Sequence, residues 1–127
     1  MGIGSGASPV GFILTRDLAR AKAFYCDVLG CRHVSDDPFA TVIDAHGLTV
    51  RITPIPDHTP GPHTVLGWEV PDIAASIAAL KAAGVAMRIY EGFGQDADGV
   101  WTAPGGRAKI CWFDDPDGNN LSLSCHA

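Results

Sequence analysis

The chain has 127 residues with 46% of them hydrophobic, enough for one compact unit that buries roughly two-thirds of its unfolded surface without a metal or disulfide staple. Its formal net charge is -5, and its lysines and arginines are scattered. Nucleic acid and anionic membranes, which need a basic face, are excluded as main partners.

Met1 to Pro9 is a Gly/Ser-rich stretch, read as a flexible N-terminus; it has neither the basic start nor the apolar run of a signal peptide. Val10 to Thr15 is a short apolar strand. Asp17 then caps a helix, with Leu18, Ala21, Phe24 or Tyr25, and Val28 at helical spacing until Gly30. Cys31 to Val34 and Phe39 to Ile43 read as strands separated by the turn residues Ser35-Asp36-Asp37-Pro38. After the turn at His46-Gly47, Leu48 to Thr53 alternates apolar and polar residues as a half-buried strand does.

Residues 54 to 63, PIPDHTPGPH, are dense in proline and glycine and read as a connector. Beyond them come a strand at Val65 to Val70, a second cap at Asp72 and an apolar stripe of Ile73, Ile77 and Leu80 that stops at Gly84. Val85 to Tyr90 reads as a strand and Glu91 to Gly99 as a polar, glycine-rich loop. Val100 to Thr102, Arg107 to Phe113 and Leu121 to Cys125 supply the remaining strands. The last two flank Asp114-Asp115-Pro116-Asp117-Gly118, where proline fixes one φ and glycine frees another.

The layout is therefore stated twice, as module one (residues 10–53), a linker (54–63) and module two (64–126), together one domain over residues 10–126. Each module is β-α-β-β-β and too small to close a core alone. No segment approaches the about 18 apolar residues of a membrane span. Cys26, Cys31, Cys111 and Cys125 show neither CxxC nor zinc-ligand spacing. Reduced thiols and a cytoplasmic location are the expectation.

Phe24-Tyr25 with Leu29-Gly30, Val70-Pro71-Asp72 before the second helix, and the terminal FDDPDGN together resemble the glyoxalase, bleomycin-resistance and extradiol-dioxygenase group, the vicinal oxygen chelate superfamily. The resemblance covers nearly all of Val10 to Cys125. It implies an α+β fold in which the two modules form an open, curved sheet with helices outside and a concave ligand cleft, and it implies a homodimer. In the family's enzymes a divalent metal sits in that cleft, held by His, Gln or Glu and chelating two neighbouring substrate oxygens. The implied first-strand positions, seven residues before each capping Asp, are Val10 and Val65. The implied last-strand positions, four residues after each hairpin Gly, are Arg51 and Ser122. Two aliphatic side chains, a hydroxyl and a permanent cation are not a metal-ligand set.

Strand parity then places Val10, Phe12, Leu14, Thr49, Arg51, Thr53, Val65, Gly67, Glu69, Asn120, Ser122 and Ser124 toward the cleft. It places Ile13, Leu48, Val50, Ile52, Trp68, Leu121 and Leu123 beneath the helices. The expectation is a metal-independent, cofactor-free protein that sequesters or acts on a small acidic or aromatic compound. Phe12, Trp101 and Trp112 would stack on it, Arg51 would face an anionic or carbonyl group, and Glu69 and Ser122 would complete the ligand-binding set. Arg51 has an alternative use in an ion pair with Glu69 or Asp44, and the tryptophans in plain packing. The competing reading is a metal-dependent lyase or dioxygenase with non-standard ligands such as His63. A metal-free enzyme would use Glu69 as general base, and a module with no ligand would fill its cleft with Phe12 and Trp112.

Overall fold

The computed structural model describes residues 2–126, which divide between His58 and Thr59 into two compact units. In the first, the elements run β1 (Val10–Thr15), α1 (Leu18–Ala23), β2 (Arg32–Asp36), β3 (Thr41–Asp44) and β4 (Thr49–Pro54). In the second they run β5 (Thr64–Glu69), α2 (Ile73–Ala82), β6 (Trp101–Thr102), β7 (Ala108–Asp114) and β8 (Asn120–His126). Each unit is thus β-α-β-β-β, and each carries one four-stranded mixed sheet, ordered β1-β4-β3-β2 and β5-β8-β7-β6. The first and last strands of each unit pair in parallel and the remaining pairs are antiparallel. The α+β class and the internal repeat are as expected.

The same local chemistry starts both helices. Asp17 Oδ1 accepts from the backbone N–H of Arg20 at 3.1 Å, and Asp72 Oδ1 from that of Ala75 at 3.0 Å. Each bond satisfies a donor that a helix start leaves unpaired. The first helix departs from expectation after one and a half turns, where Phe24–Val28 widens into a π-helical turn in which Leu29 N–H reaches Phe24 O. That extra residue lets Phe24 and Tyr25 both enter the core, edge to face at 5.4 Å.

The hairpin between β7 and β8 is held from within. Asp115 Oδ1 accepts from the N–H groups of Asp117 and Asn119, both at 2.9 Å, while Asn119 Nδ2 donates to Asp115 Oδ2 at 2.8 Å. Gly118 takes the positive φ of +89° that closes the turn. The β3–β4 turn does the same with fewer bonds: Asp44 Oδ1 accepts from Gly47 N–H at 2.7 Å, and His46 Nε2 donates to Leu29 O at 2.9 Å.

Three assignments made on the sequence are corrected. Ser35 and Asp36, read as turn residues, are the end of β2 and pair with Val42 and Thr41. Val85 to Tyr90 is not a strand; only Met87 forms a β-bridge, with Phe113. Phe39 and Ala40 belong to the turn before β3 rather than to the strand. Each sheet buries one face within its own unit: Ile13, Ile43, Val50 and Ile52 in the first, Cys111, Phe113, Leu121 and Leu123 in the second. No described helix is long and apolar enough to cross a membrane.

Candidate ligand-binding faces

In the first unit, the face opposite the core presents Phe12, Arg51 and Val42 in one cross-strand row, because Phe12 is registered with Arg51 and Arg51 with Val42. The rows on either side of Phe12 are Val10 with Thr49 and Leu14 with Thr53. Phe12 is 63% exposed, and Val10 and Leu14 are also exposed. Strand parity read from the sequence therefore separates the buried face from the exposed one in this unit. The expected partners of Arg51 are corrected. Its guanidinium pairs with Asp37 at 2.9 Å, whereas Asp44 pairs with Arg32 and Glu69 with His126. Asp37 is organised for this role: the N–H groups of Phe39 and Ala40 donate to its Oδ1 at 2.8 and 2.9 Å. Its carboxyl is held below the usual range chiefly by the Phe39 N–H, with Arg51 and Ala40 adding to the effect.

In the second unit, Trp112, Ser122 and Gly67 share one row, and Trp101, Ile110, Ser124 and Glu69 share the next. Around this face gathers a cluster of four aromatic rings. Trp112 lies 5.7 Å from Tyr90 and 5.6 Å from Phe93, both edge to face, and Phe93 lies 5.7 Å from Trp101 at a 41° tilt. Such pairs contribute about 0.5–1.5 kcal/mol each beyond burial.

Polar groups frame the rings. Asn120 Nδ2 donates to Tyr90 Oη at 2.9 Å, and Asn120 Oδ1 accepts from Thr64 Oγ1 at 2.6 Å. Arg88 Nε donates to Asp114 Oδ2 at 2.9 Å, and the Arg88 guanidinium lies 6.0 Å from the Tyr90 ring centre. At the far end of the face His126 Nδ1 contacts Glu69 Oε1, so the carboxylate considered as a general base is engaged by an imidazole. Val65 lies at a register irregularity between Thr64 and Leu66 and is exposed.

Of the residues singled out from the sequence, Trp101 and Trp112 share the ring cluster, and Ser122 stands beside Trp112 in the sheet. Glu69 lies one row further along, while Phe12 and Arg51 are registered partners in the first unit. Tyr90 and Phe93 were missed, although an aromatic enclosed by glycines in Glu91-Gly92-Phe93-Gly94 was a visible signal that a side chain is being presented from a loop. His63 is exposed in the residue just before β5.

The four positions at which the resemblance places metal ligands can be tested on donor chemistry. Val10 and Val65 have no donor atom, Arg51 is a cation already paired with Asp37, and Ser122 offers one hydroxyl. This set does not fit a divalent ion. Among the described residues no group of three or more His, Cys, Asp or Glu side chains could hold one either.

The fold and the motifs converge on a superfamily of small-molecule enzymes and binding proteins. The model of the Glyoxalase/Bleomycin resistance protein/Dioxygenase superfamily matches residues 8–123, and the chain belongs to that superfamily. Among curated proteins none matches the sequence. Among solved structures, the chain is similar to TnmS3, an antibiotic binding protein from Streptomyces sp. CB03234, at 22% identity and a TM-score of 0.76, covering 100% of this chain and 99% of that one. It is also similar to a superfamily member from Sphaerobacter thermophilus DSM 20745, at 23% identity and a TM-score of 0.74, covering 95% and 98%. A third similar structure is the fosfomycin resistance protein FosX from Listeria monocytogenes, at 16% identity and a TM-score of 0.75, covering 98% and 96%. At these identities the structural likeness establishes the fold.

Proposed function

We propose that this chain is a metal-independent small-molecule-binding protein that takes an aromatic compound on the Trp112 face of its second unit. The observation that carries the reading is the four-ring cluster of Tyr90, Phe93, Trp101 and Trp112, framed by hydrogen-bonding side chains. An open face that combines aromatic surface with a few fixed polar groups is the ordinary composition of an organic-ligand site. In the first unit a separate candidate face carries Arg51 beside the exposed ring of Phe12, suited on its own to an acidic or carbonyl group. The donor chemistry at Val10, Arg51, Val65 and Ser122 supports binding without a metal. That a structurally similar protein binds an antibiotic supports sequestration as the task. A cytoplasmic homodimer belongs to the same proposal, with light scattering as its measure.

One contact favours a second reading. Glu69, on the Ser124 row, and His126, two residues further along β8, bring a carboxylate and an imidazole together, two of the donors that a lyase or dioxygenase with non-standard metal ligands would need. Elemental analysis of protein purified without chelator separates the two: the binding-protein reading expects clearly less than one equivalent of Zn, Ni, Fe or Mn, and a full equivalent overturns it. A thermal-shift screen of small aromatic compounds should give ligands whose effect is lost in Trp112→Ala. A ligand at 100 times its Kd stabilises by about 2.7 kcal/mol, a shift such a screen resolves. Undiminished shifts in Trp112→Ala sink the proposal.

A further inference from the structure

The Phe93 ring makes contact with both Trp101 and Trp112 at nearly equal distance, 5.7 and 5.6 Å, and no contact between the two indoles is present among the described residues. Register explains the gap. Trp101 is paired with Ile110, two residues before Trp112 on β7, so the indoles stand diagonally on one sheet face with room for a ring against both.

The segment that supplies Phe93 has a fixed base and a free tip. At the base, Gln95 uses its whole amide: Oε1 accepts from Tyr90 N–H at 2.7 Å, and Nε2 donates to Arg88 O at 2.9 Å and Gly99 O at 2.7 Å. Asp96 Oδ1 accepts from the N–H groups of Asp98 and Val100, both at 2.9 Å, and Arg88 N–H donates to Trp112 O at 2.7 Å. The tip is different. Gly92 and Gly94, on either side of Phe93, have φ of +78° and +77° and no atoms within contact of where a Cβ would be. One backbone bond, from Phe93 N–H to Tyr90 O at 3.1 Å, holds it. The ring itself is 47% exposed. Glycine can change φ and ψ at little steric cost, so two of them beside a half-exposed ring let that ring swing out while the base stays bonded.

We propose that Phe93 is a displaceable plug, and that the ligand of this face is a flat, fused aromatic ring system that takes its place against Trp101 and Trp112. The inference rests on the reading that the ring cluster is the binding face, and it adds a size criterion. A tethered phenyl ring is present at high effective concentration, so a free single ring that makes only the same contacts cannot compete with it. Two or three fused rings cover more of both indoles than Phe93 does, and the extra area drives the exchange.

The test titrates benzoate, 2-naphthoate and 9-anthroate into wild-type protein, Phe93→Ala and Trp112→Ala, following tryptophan fluorescence and confirming each fold by far-UV circular dichroism. Wild-type protein should bind the fused acids and not benzoate. Phe93→Ala should bind the fused acids at least about tenfold more tightly, because the competing plug's contacts with Trp101 and Trp112 are gone, and should now admit benzoate. Weaker or unchanged binding by Phe93→Ala makes the ring a wall rather than a plug and overturns the inference, as does absence of binding by all forms. Gln95→Ala, which loosens the base and leaves the ring, should shift affinities in the same direction as Phe93→Ala. Binding that is lost in Trp112→Ala but not tightened in Phe93→Ala refutes the plug alone, whereas binding untouched in Trp112→Ala refutes the site.

Discussion

The Asn120 side chain donates to the hydroxyl oxygen of Tyr90 at 2.9 Å, joining the first residue of β8 to a ring carried 30 residues earlier in the chain. The same amide accepts from Thr64 at 2.6 Å, so one side chain links β5, β8 and the aromatic cluster. Asn120 is only 5% exposed, and a buried amide with both ends matched sets ring position as well as stability.

Asn120→Ala should therefore destabilise the protein by about 1 kcal/mol or somewhat more, because the half-buried Tyr90 Oη loses its partner and the buried amide is removed, while the exposed Thr64 hydroxyl can turn to water. Asn120→Asp keeps an acceptor for Thr64 and should cost less. Urea denaturation gives both values, and equal losses in the two variants would show that the bond from Thr64 contributes little and that the lost donation to Tyr90 carries the effect.

Gly67 and Ser122 are registered neighbours, and a Cβ at Gly67 would run into the Ser122 hydroxyl. Gly67→Ala should cost about 1 kcal/mol as Ser122 is forced from its rotamer. In a Ser122→Ala background the same change should be neutral or stabilising, since alanine reduces the entropy of the unfolded chain. A double-mutant cycle measures this sign reversal; additive effects would mean that the hydroxyl is not the obstacle.

The features that the sequence discloses are those whose chemistry is local. Asp17 and Asp72 announce helix starts because the capping bond spans three residues, and Asp115 to Asn119 announces a hairpin because the turn is bonded to itself. Alternation in β1 and β4 sorts Phe12 and Arg51 from Ile13 and Ile52 because one face of the sheet is buried. What escapes is set by contacts between distant residues. Residues 85 to 90 have a strand's composition, yet only Met87 forms a bridge to β7, and Gln95 takes Arg88 O and Tyr90 N–H, groups that a continued ladder would need. Helical spacing cannot choose between Phe24 and Tyr25, and the π-helical turn buries both. Parity turns Arg51 away from the buried face but cannot name Asp37, which reaches it from a turn.

That turn supplies a pH prediction. The Asp37 carboxyl is depressed in the folded protein, so its contribution is complete above the ordinary value of 3.8 and is lost as pH falls through the depressed one. Arg51→Ala should raise the Asp37 midpoint without returning it to 3.8, because the larger cause, the Phe39 N–H, remains. Carboxyl carbon NMR across the acid range reads this directly. A full return to 3.8 would assign the whole depression to the guanidinium.

All four cysteines are free thiols, and burial divides them. Desolvation pushes Cys31 and Cys111 up from 9.0 to about 11, because a thiolate enclosed by apolar side chains loses its hydration. The sign follows from linkage. The folded chain keeps these protons through a range in which the unfolded chain releases them, so the stabilising contribution is whole below about pH 9 and is lost as pH rises toward 11. Native protein at pH 8 should therefore react with a disulfide reagent at Cys26 and Cys125 well before Cys31 and Cys111, and unfolding should equalise the four. Replacing Cys31 and Cys111 together by alanine should flatten the alkaline limb of the stability profile while lowering stability at neutral pH, as the smaller side chains leave space in the core. An alkaline limb unchanged in that variant would place its cause in other groups.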